Sequence, residues 1–196
     1  MIILICKIIY IKDNFIEKEF FAKTKNNLEN SKYEDISAGE KLFHVQWSTQ
    51  EFDHYVLNKL KKIEQRELYK IFSFFRVSTD KLDTDWRIHS DLIINGEKPD
   101  RAAIIYMAPK ERDDLHGTAL WDHKVYGKKL PKNTTNEEYD RMITKEAENL
   151  DMWRLNSVIG YEQNRLVSYP ANYFHSKYPN KSWVNGRQIF VIFYKY

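Results

Sequence analysis

The chain has 196 residues, 42% hydrophobic and 15% aromatic, with a formal net charge of +3. That is enough apolar material for one folded core, and six Gly and five Pro are too few for a fibrous or low-complexity protein. Cys6 is the only cysteine, so an intrachain disulfide and a cysteine-based zinc site are excluded, and a reducing, cytoplasmic compartment is expected.

Residues 1–11 are apolar, but the run is short, Lys7 interrupts it and no small-residue cleavage site follows. It reads as a buried first strand, and no stretch of the chain approaches the roughly 20 apolar residues of a bilayer span. Asp13 and Asn14 offer a cap for a helix over 15–27, with Phe15, Phe20 and Phe21 toward a core. Residues 26–41 are polar and turn-rich and read as a surface loop, and 42–47 reads as a strand. Ser48 or Thr49 then caps a long helix whose apolar stripe, from Phe52 through Val56, Leu60, Ile63, Leu68 and Ile71, runs to Phe72. From there the period changes to two. Strands are expected over 74–77, 86–94, 102–108, 118–123, 152–159, 165–169, 172–176 and 188–194, separated by turn signals such as Asn95-Gly96, Gly117, Gly160 and Asn185-Gly186. Thr135 with Glu138 forms a capping box, so a helix is expected within 133–150. The stretch 126–150 reads as an insertion between strands and as a candidate lid. These elements suggest a single domain over 1–196: an N-terminal strand and helices over 1–73, then a β core over 74–196 forming a sandwich or jelly roll.

The chemistry concentrates in four residues. His89 and Asp91 are two apart in a stretch that reads as a strand, where side chains at i and i+2 share a face. Both can therefore reach one ion, and a distant His175 completes a set of two imidazoles and one carboxylate. That set is the facial triad of non-haem iron oxygenases, which leaves positions open for a co-substrate and O₂. Arg187 follows at the start of the last strand. Between Gly160 and the end, five basic residues face Glu162 alone, which suits an anionic partner.

Order and spacing carry a resemblance. His89-Ser90-Asp91 looks like a proximal His-x-Asp motif, Tyr106 lies in the strand after it, and His116-Gly117-Thr118 looks like a shortened Gly-Gly turn. Asn164-Arg165-Leu166 precedes Phe174-His175, and Arg187 comes last, slightly farther from the His than is common. Over 74–196 the chain thus resembles the 2-oxoglutarate/Fe(II)-dependent dioxygenases, especially the prolyl-hydroxylase-like branch. The resemblance implies a double-stranded β-helix, a distorted cupin-like jelly roll, mainly β, with the N-terminal helices packed on it. It implies Fe(II) on His89, Asp91 and His175, and 2-oxoglutarate held by Arg187 and Tyr106. It also implies consumption of O₂, decarboxylation of 2-oxoglutarate to succinate and hydroxylation of a substrate.

Two rivals stand beside that reading. A cupin-like jelly roll can hold Zn or Mn for other chemistry, and a basic jelly-roll module can bind without catalysis. Trp86, Trp121 and Trp183 are candidates for a substrate pocket, although tryptophans more often pack in a core or rim. A small molecule or protein side chain is favoured as substrate over nucleic acid, because no basic stripe with interleaved aromatics marks a nucleic-acid channel.

Overall fold

A computed structural model describes residues 9–38, 41–79, 81–94, 96–109, 116–179 and 186–196. The elements in chain order are β1 (Tyr10–Lys12), α1 (Lys18–Glu29), β2 (Glu34–Ala38), β3 (Lys41–Trp47), α2 (Gln50–Glu64), β4 (Tyr69–Ser78), β5 (Arg101–Tyr106), β6 (Gly117–His123), α3 (Asn136–Lys145), β7 (Trp153–Gly160), β8 (Leu166–Pro170), β9 (His175–Tyr178) and β10 (Arg187–Lys195). Seven strands form one sheet in the order β1-β8-β5-β10-β4-β3-β2, and three form a second in the order β7-β6-β9. All pairings are antiparallel. The two sheets face each other across a shared core, which makes a distorted jelly roll with α1 and α2 on the outside of the major sheet and α3 on the outside of the minor one.

The period of two in the major sheet divides its side chains between two environments. Phe75, Ala103, Ile105, Leu166, Phe190, Ile192 and Tyr194 point outward and are covered by Phe21 and Leu28 of α1 and by Phe52, Val56 and Leu60 of α2. Ile104, Tyr106, Val167, Tyr169, Ile189, Val191 and Phe193 point inward, against Leu120 and Ile159 of the minor sheet. The outer face of the minor sheet has its own cover: Ala119, Trp121, Trp153 and Phe174 pack with Leu130 and Met142 from the 126–150 stretch, and with Ile88 and Leu92. Gly117 lies where β6 and β7 come closest. A Cβ there would sit 1.9 Å from the Ile159 carbonyl oxygen, so only glycine fits.

Several expected elements differ. The helix begun by Thr49, whose hydroxyl accepts from the Phe52 N–H, ends at Glu64 rather than Phe72. Gln65 takes a left-handed conformation (φ 55°), and the chain turns into β4. Leu68, Ile71 and Phe72 fit helical spacing, but β4 gains a ladder with β10 from Tyr69 to Ser78, and that tertiary pairing overrides local periodicity. Residues 26–41 hold an edge strand, β2. Residues 1–8 lie outside the described residues, and β1 is an exposed edge strand rather than a buried one, with Ile11 53% exposed. The entry to α1 has no side-chain cap, from Asp13, Asn14 or any other residue. Asn164 instead fixes the chain just before the helix: its side chain accepts from the Ile16 N–H at 2.9 Å and donates to the Ile16 carbonyl at 2.7 Å. The capping box at Thr135 and Glu138 is present and starts α3. No helix among the described residues is long and apolar enough to cross a membrane.

Candidate metal centre

Residues 86–94 do not form the strand expected of them. His89 makes a single antiparallel bridge, to His175: its N–H donates to the His175 carbonyl at 3.0 Å and its carbonyl accepts from the His175 N–H at 2.9 Å. The residues on either side are pinned by other means. Ile88 N–H donates to the Ala147 carbonyl at 3.0 Å, Asp91 N–H to the Ala171 carbonyl at 2.7 Å, and the Tyr139 hydroxyl to the Ser90 carbonyl at 2.6 Å. Ile88 and Leu92 are buried behind the segment, so His89 and Asp91 share the opposite side, toward the cavity. The alternation expected of a strand thus persists without the strand.

These contacts bring together His89, Asp91 and His175, whose ligand atoms all lie within 4.8 Å of one another. His89 Nε2 is 3.7 Å from Asp91 Oδ1, and His175 Nε2 is 3.4 Å from Asp91 Oδ2. Each imidazole is oriented by the carbonyl two residues before it: Nδ1 of His89 donates to Arg87 at 2.8 Å, and Nδ1 of His175 to Tyr173 at 3.0 Å. A carbonyl only accepts, so both Nδ1 atoms carry the proton and both Nε2 lone pairs face Asp91. That is the second-sphere arrangement of metal-binding histidines. Burial, reinforced by the neighbouring His175, holds His89 down to about 4, and burial holds His175 down to about 4 as well. Burial pushes the Asp91 carboxyl up to about 6. The imidazoles are therefore neutral at neutral pH, and the buried carboxylate needs a cation beside it. Two neutral nitrogens and one carboxylate on one side of a cavity fit a divalent transition metal with open positions.

The cavity beyond them is floored by the inward face of the major sheet, including Phe74, Ile104, Ile189 and Val191, and walled by Thr118, Tyr169, Lys177 and Arg187. Arg187 is buried, and its Nη2 donates to the Thr118 hydroxyl at 3.2 Å. Tyr106 is fully buried and lies behind that pair rather than on the cavity wall. Its hydroxyl meets the Thr118 hydroxyl at 2.8 Å, and the Arg187 guanidinium carbon is 5.7 Å from its ring centre. Tyr169 faces the cavity instead, its ring 4.7 Å from that of His175.

Of the three tryptophans, Trp86 lines the cavity. Trp121 points into the core behind the minor sheet, where its indole N–H donates to the Ser176 hydroxyl at 2.9 Å. Trp183 lies outside the described residues. No residue of 126–150 lines this cavity, and the stretch packs behind the His89 segment. Four further charged residues line the wall: Arg76, Asp85 and Arg87, which the sequence did not single out, and Lys177, which it showed only as part of a basic excess. Arg76 is gripped by Asp83 at 2.7 and 2.5 Å, and Arg87 by Asp85 at 2.9 and 3.0 Å. Asp85 is held down at about 2 despite its burial by Arg87 and His89. Lys177, on the same face of β9 as His175, is pushed down to about 8 by burial and the nearby Arg76. The i, i+2 rule applied from His175 would have found it.

No family model and no curated protein sequence matches the chain. Solved structures do. The non-haem α-ketoglutarate-dependent carbocyclase SnoK from nogalamycin biosynthesis superposes with a TM-score of 0.66 at 14% identity, covering 95% of this chain and 79% of that one. The chain has the fold of the 2-oxoglutarate-dependent non-haem oxygenases. HygX from Streptomyces hygroscopicus, with nickel, 2-oxoglutarate and hygromycin B bound, matches at TM-score 0.60 and 9% identity over 96% of this chain and 82% of that one. A Pseudomonas putida prolyl-4-hydroxylase matches at 0.53 and 9% identity, over 96% and 92%.

Proposed function

We propose that the chain is an Fe(II)- and 2-oxoglutarate-dependent dioxygenase that hydroxylates a small molecule or a protein side chain. The observation that carries this reading is the convergence of His89, Asp91 and His175 on one cavity that a buried Arg187 also lines. In this reading the triad holds the metal. Arg187 binds the distal carboxylate of 2-oxoglutarate through a charge-assisted, bidentate hydrogen bond. Thr118 keeps the guanidinium in place, and Tyr106 acts through Thr118 from behind. When bound, Fe(II) supplies the activation of O₂ that is coupled to decarboxylation of 2-oxoglutarate to succinate. The chain's own task is to orient the co-substrate, present a substrate C–H bond and exclude water, and the apolar floor of Phe74, Ile104, Ile189 and Val191 serves the last of these.

A Zn or Mn metalloenzyme would leave Arg187 without a task beside the open metal positions, and a binding module would not need two orientated imidazoles around one carboxylate. Among the structural neighbours, HygX holds hygromycin B and the Pseudomonas putida enzyme is a prolyl hydroxylase, so both substrate kinds suit this fold. The single Cys6 suits the reducing cytoplasm. The test is succinate formation from 2-oxoglutarate by the Fe(II)-loaded protein in air. Slow uncoupled turnover that disappears in Asp91→Ala supports the reading, and turnover equal in wild type and variant contradicts it.

A further inference from the structure

Lys177 is nine-tenths buried and lines the cavity. Its ammonium donates to the Asp83 carbonyl at 3.2 Å, and among the described residues no carboxylate lies within ion-pair distance of it. Two other basic wall residues, Arg76 and Arg87, are already neutralised, by Asp83 and Asp85 respectively. The Asp83 and Asp85 carboxylates attract it from beyond contact distance, but each is already gripped by an arginine, and a buried ammonium with no contacting anion is costly.

Charge counting shows that 2-oxoglutarate alone does not fill this need. A divalent metal with Asp91 carries one net positive charge, and Arg187 and Lys177 add two. The 2-oxoglutarate dianion offsets two of these three, leaving one positive charge in the enclosed site. Direction separates the two cations. Arg187 turns toward Thr118 and Tyr106, whereas Lys177 reaches toward the 83–87 segment that also brings Trp86 and Arg87 to the cavity.

Resting on the proposed function, we propose that the substrate carries an anionic group, a carboxylate or phosphate, and that Lys177 binds it beside the 83–87 segment while Arg187 serves the co-substrate. The substrate class is thus an acidic small molecule or acidic residue, docked with its anion at Lys177 and its reacting C–H bond toward the metal ligands. Trp86 supplies an apolar wall beside that anion.

The test uses inorganic phosphate as the probe, titrated calorimetrically into Ni(II)-loaded protein with and without 2-oxoglutarate. Wild type is expected to bind phosphate in both states. Lys177→Met is expected to weaken phosphate by about tenfold or more, Lys177→Arg to retain it, and both to leave 2-oxoglutarate affinity within about threefold. Phosphate binding that is absent, unchanged in Lys177→Met or competitive with 2-oxoglutarate overturns the proposal. A large loss of 2-oxoglutarate affinity in Lys177→Met also overturns it, by assigning the lysine to the co-substrate. Failure of wild type to bind 2-oxoglutarate at all defeats the oxygenase reading instead, while phosphate titration without co-substrate still reports on Lys177.

Discussion

The candidate metal donors reach the site by two different routes. His175 arrives at the start of β9, a strand in a ladder with β6, and its direction follows from that ladder. His89 and Asp91 arrive on a segment with one bridge and no strand of its own, held by Ala147, Tyr139 and Ala171 and by the burial of Ile88 and Leu92. The difference teaches that side-chain alternation can be imposed by surroundings as well as by a sheet. It also makes two of the three candidate donors depend on contacts from the 126–150 stretch, which packs behind them.

The largest expected effect breaks both routes at their meeting point. Asp91→Ala should lower Fe(II) or Ni(II) affinity by more than the about 10–100-fold typical of losing a mere supporting partner of a ligand. Metal content after desalting measures this. Next, Met142→Ala empties a fully buried position behind the His89 segment and should cost about 2–5 kcal/mol in denaturant unfolding. A surface-sized effect of under about 0.5 kcal/mol would mean that the stretch does not support the site. Arg187→Met, on the regular β10, should weaken 2-oxoglutarate by about 10–100-fold, the worth of a charged hydrogen bond, and leave metal affinity unchanged. Tyr139→Phe removes only the hydroxyl bonded to Ser90. It should cost about 1 kcal/mol and reduce metal affinity several-fold without touching 2-oxoglutarate.

Acid sharpens the comparison further. Burial raises Asp91 to about 6, so below that pH a metal must displace a proton from it. Burial depresses both histidines to about 4, so they remain neutral until the solution is more acidic still. Metal affinity is therefore expected to be level above pH 6, to fall by about tenfold per unit below it and to fall more steeply near 4. A fall beginning at the ordinary histidine range, with Asp91 already ionised, would contradict this.

Much of this site was readable from spacing. The pair His89 and Asp91, the late His175 and the Arg187 that opens β10 were all found where two-residue alternation and chain order put them. The jelly roll followed from strand count, and α3 from its capping box. Other features depend on partners that periodicity does not name. Leu68 to Phe72 fit a helix and a strand equally well until β10 is beside them. Residues 86–94 alternate as a strand would, but the hydrogen bonds that hold 88–91 come from Tyr139, Ala147, Ala171 and His175 rather than from one neighbouring strand. Trp121 belongs to the core because β6 has both faces covered, and Tyr106 sits behind Arg187 while Tyr169 takes the wall. Lys177 and Arg76 read as solvated charges in isolation, and only the closing of the two sheets encloses them.

The central claim is that His89, Asp91 and His175 form one metal site that also seats 2-oxoglutarate. The most direct measurement is an anaerobic titration of Fe(II)-loaded protein with 2-oxoglutarate, watching for the weak visible charge-transfer band of a chelated keto acid. The account predicts a band that saturates with one co-substrate per chain in wild type and is lost in His175→Ala. Iron bound with no band, or a band that survives in His175→Ala, would contradict it.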